Sequence, residues 1–155
     1  MNTRPTYNDP KVREAMAVYI CSQLCKWLDS HGEQYDKDEI YNDVVKLARY
    51  CSMSEDGYYL CSKIESDFGY QPDTQLVNML DDLQTHSMSA LDSIVADWVK
   101  ENNIVPQFSL NQKVKTDTDY TGTIFEIDCI HGKYKIGTTP ARLRIVPFER
   151  VTLAE

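Results

Sequence analysis

Residues 110–136 read LNQKVKTDTDYTGTIFEIDCIHGKYKI, and this stretch decides the fold because the apolar spacing of the chain changes within it. Val114, then Thr123, Phe125 and Ile127 against Ile124 and Glu126, then Tyr134 and Ile136, alternate with a period of two, as in strands whose side chains point to opposite faces. Leu143 with Ile145, and Val151 with Leu153, continue the pattern. His131-Gly132 is predicted as the turn between the second and third strands and Gly137 to Pro140 as a looser turn, while Pro147-Phe148 interrupts the chain as a one-turn helix would. About five strands in roughly 45 residues are too few for a sandwich of usual size and predict a small, strongly bent barrel.

Upstream of Leu110 the spacing is three to four residues. From Pro10 to about Ser30, Val12, Met16, Ile20, Leu24 and Trp27 form one apolar row, with Val18, Cys21, Cys25 and Leu28 beside it, so this helix is expected at the centre of a bundle. Asp36 three positions before Glu39 has the form of a capping box, leading into Ile40, Val44, Leu47, Ala48 and Cys51. Ser54 is read as the cap of a third helix ending at Gly69. Pro72 and Asp73 open a fourth with Leu76, Val77, Leu80 and Leu83 inward, and Ser89 with Asp92 starts a fifth that Asn102, Asn103 and Pro106 end. The expected fold is α+β: a bundle of about five short α-helices over 1–103, followed by a five-stranded barrel over 104–155.

A chain of 155 residues can bury one core or two small ones, and excludes a large multidomain enzyme. Its net charge of −8 argues against a general binder of nucleic acid or anionic membranes. The charge is uneven: 1–103 carry nine basic and eighteen acidic side chains, net −9, whereas 104–155 carry seven and six, net +1. No apolar run reaches the roughly 18 residues a membrane helix needs, and the opening MNTRPTYNDP lacks the apolar centre of a secretory leader. With five cysteines, an odd number suited to a reducing compartment, a cytoplasmic protein is expected.

The succession Lys113-Val114-Lys115, Gly122-Thr123-Ile124, Gly132-Lys133-Tyr134, Ile145-Val146-Pro147 and Val151-Thr152-Leu153 resembles an SH3-like barrel of the KOW or Tudor kind. The resemblance covers the last third of the chain, and implies a module that binds protein segments, RNA or DNA. The acidic helices matching no named family, the whole is similar in style to small accessory and anti-defence proteins of phages, which implies an inhibitor of a nucleic-acid-handling host enzyme.

No motif for catalysis or a cofactor is present: there is no nucleophile elbow, no His-Glu-x-x-His and no phosphate-binding glycine loop. A non-enzymatic protein without cofactor or metal is therefore expected. Cys21 and Cys25, one turn apart, could converge with Cys51 and Cys61 on zinc, an alternative weighed against simple packing of thiols in the core.

The surface carries the remaining information. Acidic side chains, Asp81 and Asp82 among them, and tyrosines such as Tyr58 and Tyr59 are expected on the outside of the helices, where they would attract a partner protein with a basic surface. The loop Asp117-Thr118-Asp119-Tyr120 is expected to extend that surface, with Asp117, Asp119 and Tyr120 as contact residues. The alternative partner is nucleic acid, met by a basic barrel face made from Lys133, Lys135, Arg142 and Arg144, together with Lys113 and Lys115.

Overall fold

The computed structural model describes residues 3–52 and 54–154. Helices α1 (Pro10–Ser30), α2 (Lys37–Tyr50), α3 (Gly57–Phe68), α4 (Thr74–Leu80) and α5 (Leu83–Glu101) precede strands β1 (Lys113–Thr116), β2 (Thr121–Asp128), β3 (Lys133–Thr139), β4 (Arg142–Pro147) and β5 (Val151–Leu153). A 3-10 turn, Phe148–Arg150, separates the last two strands. The chain divides into two compact units, 5–94 and 95–155 with the first four residues, so the boundary falls inside α5. The helical unit thus holds four whole helices and the first part of another, rather than five short ones.

Aspartate starts the helices. Asp9, Asp36, Asp56 and Asp73 each accept a hydrogen bond from a backbone N–H in the first turn of α1, α2, α3 and α4, where four amide groups otherwise lack partners. The cap of α3 is therefore Asp56 and not Ser54. α5 begins at Leu83, several residues before the expected Ser89. Ser87 lies inside it, buried, and its hydroxyl donates to the Leu83 carbonyl one turn back, which removes the need for an aqueous partner. Gly69 does end α3, with φ of 74°.

The helical core collects Val12, Met16, Ile20, Leu24 and Leu28 of α1 with Ile40, Val44, Leu60, Ile64, Leu76, Leu80 and Leu83, each at most 5% exposed. Burial of one such Leu or Ile is worth about 1.5–3 kcal/mol, so this cluster dominates the stability of the unit. Arg13 fastens α1 to the end of α2: its guanidinium donates to the carbonyls of Ala48 and Cys51 and to Asn8 Oδ1. These carbonyls belong to the last turn of a helix, which favours a cation.

The sheet is antiparallel with strand order β4-β3-β2-β1-β5. It is an open sheet with β4 and β5 as edges, in place of the closed barrel expected from the sequence; β5 has only three residues, and Pro147 lacks the N–H that further pairing of β4 would use. Its core is Val114, Ile124, Tyr134, Ile136, Val146, Phe148 and Val151. Gly137, expected in a turn, sits inside β3 at an irregularity of register; a Cβ there would meet the Arg142 carbonyl and the Leu143 side chain. Arg4 also belongs to this unit. It donates to the carbonyls of His131 and Gly132 and pairs with Glu149 at 2.6 Å, while its guanidinium lies over the Trp98 ring.

Candidate functional site

The helical unit carries seven basic and sixteen acidic side chains, net −9. Part of that acidity is structural. The four capping aspartates serve their own helices, and Asp81 accepts from the Gly57 N–H at 2.8 Å, adding a second acceptor at the start of α3. A Cβ on Gly57 would collide with the Val77 carbonyl, so only glycine lets α3 and α4 approach this closely. Asp81, expected as a contact residue, is thus tied to the start of α3 although exposed, whereas its neighbour Asp82, likewise exposed, makes no such bond.

Elsewhere the acids line a trough between α2 and α3. One depression, about 280 Å³, is walled by Tyr35, Asp36, Glu39, Asp43, Phe68 and Tyr70. A second, about 440 Å³, shares Asp43 and Phe68 with it and adds Tyr50, Tyr59, Lys63 and Asp67. The helical period puts Glu39 and Asp43 on one side of α2, one turn apart, and Asp67 on the last turn of α3. Two cations are present and both are engaged: Lys46 Nζ is 2.9 Å from Asp43, and Lys63 lies 5.8 Å from the centre of the Tyr59 ring. Burial pushes the Tyr70 phenol above its ordinary pKa, and the charges of Glu39, Asp43 and Glu33 push it further in the same direction. Tyr35 is held protonated more firmly by its hydrogen bond to Asp29. The trough therefore combines a negative field with aromatic faces, the two features that receive an ammonium or guanidinium group.

Of the expected helical contact tyrosines, Tyr59 lines this trough and Tyr58 stands beside it in sequence, 75% exposed. Tyr50, also read from the sequence as one of the tyrosines of this surface, is 87% exposed at the end of α2, whereas Glu39 and its pairing with Asp43 were missed. The helical spacing of those two acids was the available signal.

In the sheet unit the 117–120 loop is not a negative surface. Asp117 pairs with Arg150 at 2.7 Å and Asp119 with Lys115 at 2.8 Å, and the latter bond holds the Asp119 carboxyl below its usual range. Asp119 takes a left-handed backbone, φ 61°, which an aspartate tolerates in a turn. Tyr120 packs against the sheet core and lies under the Arg144 guanidinium, 4.0 Å from the ring centre. Its removal should lower stability, contrary to the expectation of a free contact residue.

Nor do the four basic candidates share one face. Across the β3–β4 ladder Lys135 stands opposite Ile145 and Arg144 opposite Ile136, so Lys133 and Lys135 project from one side of the sheet and Arg144 from the core side. Lys135 is paired with Glu126 at 2.8 Å, and Arg142 is exposed on the edge strand.

The bundle cysteines do not form a four-thiolate centre. Cys21 and Cys25 touch, Cys51 lies at the end of α2 and Cys61 in α3, and among the described residues no group of three or more His, Cys, Asp or Glu side chains is placed to hold a metal ion. Among the described residues no helix is long and apolar enough to cross a membrane. No protein family matches the chain, and neither the curated proteins nor the solved structures give a match.

Proposed function

We propose that this is a non-enzymatic interaction protein whose helical unit receives a basic segment of a partner protein in the trough between α2 and α3. The observation that supports the reading is the gathering of Glu39, Asp43 and Asp67 with Tyr35, Tyr50, Tyr59 and Tyr70 around two adjoining depressions that share Asp43 and Phe68. A lysine or arginine entering it would meet carboxylates at the rim and ring faces on the wall, and tyrosine supplies contact area at low entropic cost. A partner whose basic surface normally holds a phosphate backbone would be blocked by such a contact, and this is the form of inhibition the reading favours. The SH3-like reading of the sheet unit rests on its strand order and on the 3-10 turn before β5. Nucleic-acid binding by the sheet is the less favoured reading, because Lys115, Lys135 and Arg150 are each paired with a carboxylate.

Fluorescence anisotropy of the full chain with labelled probes tests the choice. A nine-residue peptide alternating Arg and Leu should bind at low salt, and Glu39→Lys with Asp43→Lys should weaken it at least tenfold. Binding of a 20-nucleotide single strand or duplex in preference to the peptide, lost on Lys133→Glu with Arg142→Glu, would transfer the function to the sheet.

A further inference from the structure

Cys21 and Cys25 stand one turn apart on α1 with their sulfurs 3.9 Å from each other. Both line a cavity of about 560 Å³, whose wall also includes Lys26, Asp29, Tyr35 and Lys37. Residues four apart on a helix keep their Cβ atoms about 5–6 Å apart, whereas a disulfide needs roughly 3.5–4.5 Å, so the pair is placed for joint coordination of an ion and poorly for oxidation. We propose that Cys21 and Cys25 form a two-thiolate site for one Cu(I) ion at the floor of this cavity.

Donor number selects the ion. Zinc takes four donors in a structural site, and among the described residues none offers a third ligand from a cluster with these two. Cu(I) is soft and selects thiolate donors, which the two adjacent sulfurs supply. Each thiol gives up its proton as its S–Cu bond forms, no electron is transferred, and the ion with two thiolates carries a charge of −1. Lys26 and Lys37 on the same cavity wall compensate that charge; Asp29 opposes it but is engaged by the Tyr35 hydroxyl at 2.8 Å. Burial pushes the Cys21 thiol up to about 11, Cys25 adds to the rise and Lys37 opposes it.

Anaerobic titration of the full chain against the Cu(I)–bicinchoninate complex tests the site. The protein should withdraw one equivalent of copper, and Cys129→Ser, which removes the exposed thiol, should leave this unchanged. Cys21→Ser with Cys25→Ser should lower affinity at least a hundredfold. If that variant does not fold, X-ray absorption at the copper edge of the Cys129→Ser protein decides, with two sulfur neighbours per copper expected. Failure to withdraw copper, loss of binding in Cys129→Ser, or fewer than two sulfur neighbours would overturn the proposal.

Discussion

Asp81 and Asp82 are adjacent and chemically identical, yet the structure gives them different work. Asp81 Oδ1 accepts the Gly57 amide, and Gly57 itself has no room for a side chain against the Val77 carbonyl. Asp81→Ala should cost about 1 kcal/mol, as the loss of a helix cap does, and Gly57→Ala about 2–3 kcal/mol through forced separation of α3 and α4, both read from urea unfolding. Asp82→Ala should stay within about 0.5 kcal/mol of the parent, the range of surface substitutions. Asp73 supplies a pH effect. The Leu76 amide above all, then the Trp27 indole at 2.9 Å and His31, hold its carboxyl below the usual range. A depressed carboxylate pKa stabilises the fold above the ordinary value and loses that contribution as pH falls through the depressed one. Stability should thus decline on acidification below the ordinary aspartate value, and Asp73→Asn, which can still cap α4, should flatten the decline in acid urea titrations.

Among the elements, what the sequence made legible follows from which signals are local. The cap at Asp36 and the stop at Gly69 rest on one residue and its immediate backbone, and both stand where they were read. Ser89 misled because α5 already begins at Leu83, so that Ser89 lies inside the helix on an exposed face rather than at its start. Ser54 lost to Asp56 for want of any sequence signal that separates two capping residues two positions apart. Gly137 was hidden for another reason: its need is the close approach of β4, a long-range contact that local spacing does not encode. The candidate trough was legible only in its ingredients, since the pairing of α2 with α3 is what joins Asp43 to Phe68 and Tyr59. The segment before α1 was illegible, because Arg4 acts on the β2–β3 turn more than a hundred residues away. Arg4→Ala should destabilise the sheet unit by about 1–3 kcal/mol, by stripping two carbonyls and Glu149 of their donor, as measured by loss of amide-exchange protection at 131–134.

Across the whole molecule the charge is segregated, net −9 on the helical unit and +1 on the sheet unit, and the consequences for folding and for binding have opposite signs in salt. Among the described residues of the helical unit, Lys46 pairs with Asp43 and, when its imidazole is protonated, His31 with Asp73. Sixteen acids against seven bases therefore repel one another more than they attract. At about 0.15 M salt the screening length is roughly 8 Å, and at 1 M roughly 3 Å, so added salt first relieves repulsion between surface carboxylates. The helical unit should melt several degrees higher at 0.5 M than at 0.02 M sodium chloride, as followed by far-ultraviolet circular dichroism. A basic peptide held in the trough by the same carboxylates should, over that range, lose affinity at least tenfold. Glu39→Gln with Asp43→Gln should move both quantities together, raising the melting point at low salt and weakening the peptide, because the charges that strain the fold are the ones proposed to bind. Peptide affinity that does not change with salt while the melting point rises would separate the two roles and place any binding surface elsewhere.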